Sequence, residues 1–190
     1  MPFIGNKPTA VPLTSADITD GIISSAKIAT GAITSAKLAS GVGVIAEADQ
    51  WRLITDVSAD TSPVTAWERV DTAGQEKLGT GMTLSSGLFT YPSTGLWLVT
   101  YTACVLEGSA IDSLIQFDFY FNSTRLAQIL LNTPFASAFT TGTNSSLVNV
   151  TNVSHTSYFA LSNIQNSQVL RSSSEENLTC ASFIRLGDSV

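Results

Sequence analysis

The side chains able to do chemistry are few and poorly spaced for it. His155 is the only histidine of the 190 residues, so a His-based triad would rest on it alone. Its setting, NVSHTSY, reads as a polar turn between strands, which predicts a structural or solvent-facing role rather than proton transfer. The two cysteines, Cys104 and Cys180, lie far apart and outside any metal-type spacing. They make neither a disulfide framework nor a zinc motif and read as small, partly buried hydrophobes. A glycosidase needs two carboxylates flanking a cleft. Here Asp and Glu are scattered, and the adjacent pair Glu175–Glu176 falls in an expected turn. No nucleophile elbow, phosphate-binding glycine loop or zinc pattern occurs. The expectation is a protein with no catalytic residue, no metal site and no cofactor.

Bulk composition narrows the remaining classes. Net charge is −6, from 9 Lys and Arg against 15 Asp and Glu, with no clustered positive footprint of a nucleic-acid binder. The most apolar window, residues 22–46, is broken by Lys27, Lys37 and several Gly, Ser and Thr, so no membrane insertion is expected. The start, MPFIGNKPTAVP, lacks the charged head and apolar centre of a signal peptide, which predicts a chain made and kept in a cytoplasm. On that expectation the sequons at Asn122, Asn144, Asn149, Asn152 and Asn177 carry no glycosylation signal.

The elements that must position these residues fall into two kinds. Residues 14–43 repeat by tens: TSADITDGII, SSAKIATGAI, TSAKLASGVG. Large aliphatics recur every fifth residue, at Leu13, Ile18, Ile23, Ile28, Ile33 and Leu38. A spacing of five fits neither a strand, a long helix nor a coiled coil. Two local structures fit: a short capped helix stopped by Gly with an extended step after it, or a square β-coil with one aliphatic per side. Three tens would make barely one and a half turns of such a coil, which favours helix and turn. Six aliphatics on a lone chain cannot offset the entropy of fixing the segment. Repeats of this kind stack or wrap on neighbours, and a flexible linker has no need of Ile every fifth residue. The pattern predicts a fibre shaft in which identical chains supply the missing walls.

From residue 45 onward, strand-like runs separated by Gly, Pro, Ser and Asn take over. QWRLITDVS alternates, as does LWLVTYTACV with Trp97, Val99, Tyr101, Ala103 and Val105 on one face. IQFDFYFN is the clearest strand, with Ile115, Phe117, Phe119 and Phe121 on one side. Only IAEADQWRL could pass for a helix. Many short strands at this spacing indicate an all-β sandwich or jelly roll. The expected organisation is 1–13 as an anchoring segment, 14–44 as shaft and 45–190 as head.

SSGLFTYPSTGLWLVTYTACV resembles the signature of the globular head of complement subcomponent one-q and its tumour-necrosis-factor relatives, with Gly87, Phe89, Tyr91, Pro92, Gly95, Trp97 and Tyr101 in the matching places. The closing CASFIRLGD, with Phe183 and Leu186 at apolar positions, resembles the last strand of that fold. MTLSSGLFTYPSTG with a terminal FIRLGD, after an ITDGIISSAKI-type repeat, is similar to structural proteins of tailed bacteriophages. The collagen stalk of the complement protein is absent, and residues 106–154 align poorly. The resemblance implies a ten-strand jelly-roll homotrimer whose sheet containing the GLWLVTY strand and the closing strand faces the three-fold axis. It implies a core or interface of Phe89, Tyr91, Trp97, Val99, Tyr101, Phe117, Phe119, Phe183 and Leu186, whose aromatic excess would exceed what one small sandwich can hide. It also implies that Cys104 and Cys180 lie on neighbouring strands as free thiols, and that Arg185 sits near the axis, in need of a carboxylate partner.

Three functions remain in contention: a short trimeric tail fibre that binds the host surface, an architectural fibre of capsid, collar or baseplate, and, least favoured, an enzyme. In the first, Phe3, Ile4, Pro8 and Pro12 dock the chain to other virion proteins after assembly in the host cytoplasm. Loops 106–113, 131–146 and 171–177 would meet a host saccharide or outer-membrane protein, with Ser109, Asp112, Asn132, Thr141, Asn144, Ser173 and Glu175 as contact residues. Their Ser, Thr, Asn and acidic content suits polar ligands, and trimerisation would multiply weak sites.

Overall fold

The computed structural model describes residue 24 and residues 28–30, 32–33, 45–71, 74–108, 114–132, 135–165 and 167–190. The anchor residues Phe3, Ile4, Pro8 and Pro12, the shaft aliphatics Leu13, Ile18, Ile23 and Leu38, and the loop residues Ser109 and Asp112 lie outside them. The chain divides into two units, Met1–Ala39 and Ser40–Val190. In the first, Ile28 and Ile33 are exposed, and the Ala32 N–H donates to the Ala29 carbonyl at 2.9 Å.

The second unit is all β. Its strands are β1 (Ala48–Leu53), β2 (Trp67–Arg69), β3 (Thr83–Ser85), β4 (Leu88–Thr90), β5 (Gly95–Leu106), β6 (Leu114–Phe121), β7 (Thr124–Asn132), β8 (Phe139–Val150), β9 (Thr156–Ser162), β10 (Val169–Leu170) and β11 (Cys180–Gly187). Eleven strands are thus described, the two-residue β10 among them, against the ten expected. The helix-like IAEADQWRL contains β1 instead: pairing with β11 on one side and β2 on the other outweighs its weak helical propensity.

Two antiparallel sheets form the sandwich. In sheet A, β5 pairs with β8 along its whole length, with β11 over Leu96–Thr102, and with β10 at Val105 and Leu106; β1 and β2 continue beyond β11. Sheet B runs β3-β4-β9-β6-β7. Two hairpins are closed by residues with positive φ, as two-residue turns between twisted strands require. Ser86 (50°) and Gly87 (80°) join β3 to β4, and Asn122 (46°) and Ser123 (64°) join β6 to β7. A side chain at Gly87 would also meet the Val64 carbonyl at 2.7 Å.

The period-two phase of β5 and β6 decides what fills the core. Trp97, Val99, Tyr101, Ala103, Val105, Phe117 and Phe119 are fully buried. Phe159 of β9 lies at their centre, with ring centroids 5.3 Å from Trp67 and Tyr101 and 5.5 Å from Phe117 and Phe119. The aromatics expected to overflow one sandwich are hidden by it. Edge-to-face and tilted packing interleaves them between the sheets, so they alone create no need for a partner.

One polar hub is buried beside this core. The Asp49 carboxylate accepts hydrogen bonds from Trp51 Nε1 (3.0 Å), Met82 N (2.7 Å) and Arg69 Nε (3.1 Å). The Arg69 guanidinium also lies 4.7 Å above the Trp51 ring. Three segments, at Asp49–Trp51, Arg69 and Met82, are fastened through one satisfied charge, which is the condition for tolerating a buried carboxylate.

Candidate functional site

The groups that could have done chemistry are not assembled for it. His155 sits in the turn before β9 with its ring edge-on to Phe121 at 5.3 Å, and its Nδ1 is buried without a hydrogen-bond partner. Cys104 and Cys180 are free thiols on the paired strands β5 and β11, and burial pushes both thiol pKa values up, away from the reactive thiolate. Glu175 and Glu176 are exposed neighbours in a turn whose N–H groups donate to Ser173 Oγ at 3.1 and 2.9 Å. Among the described residues, no group of three or more His, Cys, Asp or Glu could hold a metal ion.

The first surface of note is the outer face of sheet A. Core-facing residues of β5 alternate with Leu96, Leu98, Thr100, Thr102 and Cys104, which face away from sheet B. Register places Leu147 of β8 and Ile184 of β11 on either side of Leu98, with Ala48 of β1 next in the row. Leu147 is 58% exposed. Toward the other end the face turns polar, and Thr102 Oγ1 and Thr143 Oγ1 hydrogen-bond at 2.9 Å. Phe139, 62% exposed, closes the face opposite Leu106. Among the described residues, no layer covers the apolar part of this face.

Of the residues expected in the core or interface, Phe89, Tyr91, Trp97, Val99, Tyr101, Phe117, Phe119 and Phe183 all point between the sheets of one chain. Leu186 does not. The register shifts between Arg185 and Gly187, and the extra residue leaves Leu186 47% exposed. Arg185 has its partner within the same strand end: NH2 reaches Asp188 Oδ1 at 2.7 Å and Nε donates to the Thr94 carbonyl at 2.9 Å. Sequence reasoning missed Leu98, Leu147 and Ile184. The signal was present in LWLV, where both phases of the alternation are apolar.

The second surface is the end of the sandwich beyond Leu106. Here Glu107 N donates to the Ala138 carbonyl, Ser137 N to the Gly108 carbonyl, and Arg171 N to the Cys104 carbonyl. Portions of the first two expected loops therefore meet at that end, whereas the third runs back beside β5 and β1, with Ser173 N on the Leu53 carbonyl and Asn177 Nδ2 3.4 Å from Gln50 Oε1. Arg171 pairs with Asp56, whose Oδ1 also accepts from Ser172 N at 2.7 Å and Ser172 Oγ at 2.8 Å. Buried Glu107 accepts from Gln168 Nε2 at 2.8 Å.

Of the loop expected over 131–146, Leu131 and Asn132 end β7 and residues 139–146 belong to β8. Thr141 and Asn144 belong to β8, whose twelve residues all pair with β5. Turn-forming composition lost to a full-length partner strand. Gly142 is needed there because a Cβ would meet Ile129 Cγ2 at 2.5 Å and Leu131 Cδ2 at 2.8 Å. Asn144 Nδ2 donates to the Gln128 carbonyl of β7 at 3.0 Å, tying the two sheets at that edge.

The order β8-β5-β11-β1-β2 against β3-β4-β9-β6-β7, with the core between, defines a jelly roll of the tumour-necrosis-factor type. The Eiger TNF of S. frugiperda is 15% identical at a TM-score of 0.57, over 75% of this chain and 94% of that one. Murine APRIL is 13% identical at 0.54, over 74% of this chain and 98% of that one. The PRD1 vertex protein P5 is 17% identical over 76% of this chain and 100% of that one, with a TM-score of 0.47, too low to carry weight. At these identities the likeness establishes the fold. No family model and no curated protein sequence matches the chain.

Proposed function

We propose that this chain is a short homotrimeric fibre of a tailed-phage virion, anchored through its N-terminal residues, with the loop end of its head turned toward the host surface. The observation that carries this reading is the polarity of the head. Residue 45 leads into β1 at Ala48, in the row of Ile184 and Leu98, whereas the first two loops meet beyond Leu106. Eight residues of β5 separate the two, roughly 26 Å at strand rise. The chain thus enters the head at the pole opposite those loops. The uncovered apolar row Leu98–Leu147–Ile184 supports assembly through sheet A, and the phage-like order of repeat and head motif supports the virion setting. The reading assigns the chain no reaction.

The test uses the purified full-length chain. Light scattering gives about 60 kDa, three times the 20.0 kDa of one chain, and the assembly binds saturably to a host envelope preparation. A folded 20.0 kDa species at micromolar concentration refutes the trimer. An intact trimer with no saturable binding to any host envelope preparation refutes the attachment role and leaves an architectural one in capsid, collar or baseplate.

A further inference from the structure

The outer face of sheet B carries an arrangement that neither the core nor the loop end accounts for. On β6, Gln116, Asp118 and Tyr120 alternate with the core residues Ile115, Phe117 and Phe119, so they lie on the face away from sheet A. Tyr120 is opposite Tyr158 of β9, and the two rings stack with centroids 4.7 Å apart and planes 4° from parallel. Asp118 is only 4% exposed. Its Oδ2 receives one long contact, 3.3 Å from NH1 of the half-exposed Arg125, while its Oδ1 is buried with no hydrogen-bond partner.

Among the described residues no group donates to that oxygen; the Tyr101 hydroxyl, which feels the Asp118 charge, is likewise buried without a partner. Across the sheet Asp118 faces Ala160, which has no side-chain donor, and Gln128. The Gln128 amide nitrogen is turned to Gln116 Oε1 at 3.0 Å. An acceptor left unmade at a buried carboxylate costs free energy that an incoming O–H or N–H would recover. Arg125, long and half-exposed, is the side chain whose displacement opens the carboxylate.

We propose that this face is a binding platform for a neutral saccharide, in which the ring face that Tyr120 or Tyr158 leaves open outside their mutual stack meets the C–H face of a pyranose ring and Asp118 accepts a hydrogen bond from one of its hydroxyls. An aromatic surface beside a carboxylate short of donors suits a ligand that is apolar on one side and rich in O–H groups at its rim. A carboxylate opened by moving Arg125 aside repels an anionic ligand, which leaves a neutral one. The platform lies on strands away from the loop end, stands whether or not the chain is a fibre, and stays open if sheet A is covered by assembly.

The full-length chain is titrated with short cello-, malto- and chito-oligosaccharides, read by saturation transfer from tyrosine ring protons to pyranose protons. Saturable transfer is expected with at least one series, lost in Tyr158→Leu and weakened about tenfold in Asp118→Asn, the scale of one charge-assisted hydrogen bond. Tyr120→Leu on the same surface gives an independent reading should Asp118→Asn fail to fold. Absence of transfer with all three series overturns the proposal, as does binding unchanged in both tyrosine variants. Loss of binding in Asn132→Ala/Ser173→Ala, with Asp118→Asn binding as the parent does, also overturns it. That last result moves the sugar to the loops and leaves the fibre reading intact.

Discussion

Replacing Leu147 by aspartate tests whether sheet A is the assembly surface. Leu147 stands beside Leu98, which stands beside Ile184, and more than half of the Leu147 side chain meets solvent within one chain. Full burial of a leucine contributes about 1.5–3 kcal/mol, so covering the 58% left exposed contributes roughly 1–1.7 kcal/mol per copy. Over a trimer that amounts to about 3–5 kcal/mol. Leu147→Asp forfeits this and forces like carboxylates into a desolvated contact, so the association constant should fall by at least about a hundredfold. Sedimentation velocity over a dilution series reads the result. The parent runs near 60 kDa and Leu147→Asp near 20.0 kDa at concentrations where the parent is assembled, with unchanged far-ultraviolet circular dichroism. Leu130→Asp makes the same chemical change on the outer face of sheet B, at a residue 53% exposed, and should stay assembled. If Leu147→Asp sediments like the parent, or Leu130→Asp dissociates equally, the argument from sheet A is wrong.

Three further outcomes follow from the core and its ionisable groups. Phe159→Ala, at the aromatic centre, should lower stability by about 3–5 kcal/mol in urea unfolding. Gly142→Ala should cost about 1–3 kcal/mol by pressing on Ile129 and Leu131, whereas Thr143→Ala on the same strand should cost well under that. Alkaline pH should unfold the head. Burial pushes the phenol pKa values of Tyr91 and Tyr101 well above their ordinary value near 10. The unfolded chain therefore releases these protons first. Stability is fully present below about pH 10 and falls above it, by up to about 1.4 kcal/mol per pH unit for each tyrosine, readable as a falling melting temperature. A flat profile through pH 11 refutes that assignment.

Where one side of a strand is apolar, the sequence alone reveals its facing: Trp97, Val99 and Tyr101 on β5 and Ile115, Phe117 and Phe119 on β6 enter the core as their alternation predicts. The Gly87 turn is legible for a local reason, since positive φ with a close carbonyl admits only glycine comfortably. Elements defined by a distant partner are not legible. The first half of β8, residues 139–145, is written mostly in Thr, Gly, Asn and Ser and becomes strand because β5 offers matching residues, whereas the second half lies in SLVNVTNV, a run that reads as strand from sequence. The Asp49 hub joins residues 33 positions apart, and nothing local distinguishes that aspartate from a solvated one. Within the candidate surfaces, the loop composition was readable, but the meeting of the first two loops at one end and the outward Leu98–Leu147–Ile184 row needed the register of the sheets.

The tail of the chain adds a practical consequence. Asn149 and Val190 exchange two hydrogen bonds, Nδ2 to the Val190 carbonyl at 2.5 Å and Val190 N to Oδ1 at 3.4 Å. Asn149 is opposite Leu96, near the base of β5 where β1 also begins. Cargo fused after Val190 would hang beside that base and leave the far tip unobstructed. The tip is built from strand-to-strand connections, so it can be lengthened or exchanged at little more than the entropy of closing a larger ring. The head is thus arranged as a cartridge, with both ends of its backbone in the socket and its interchangeable parts at the opposite pole.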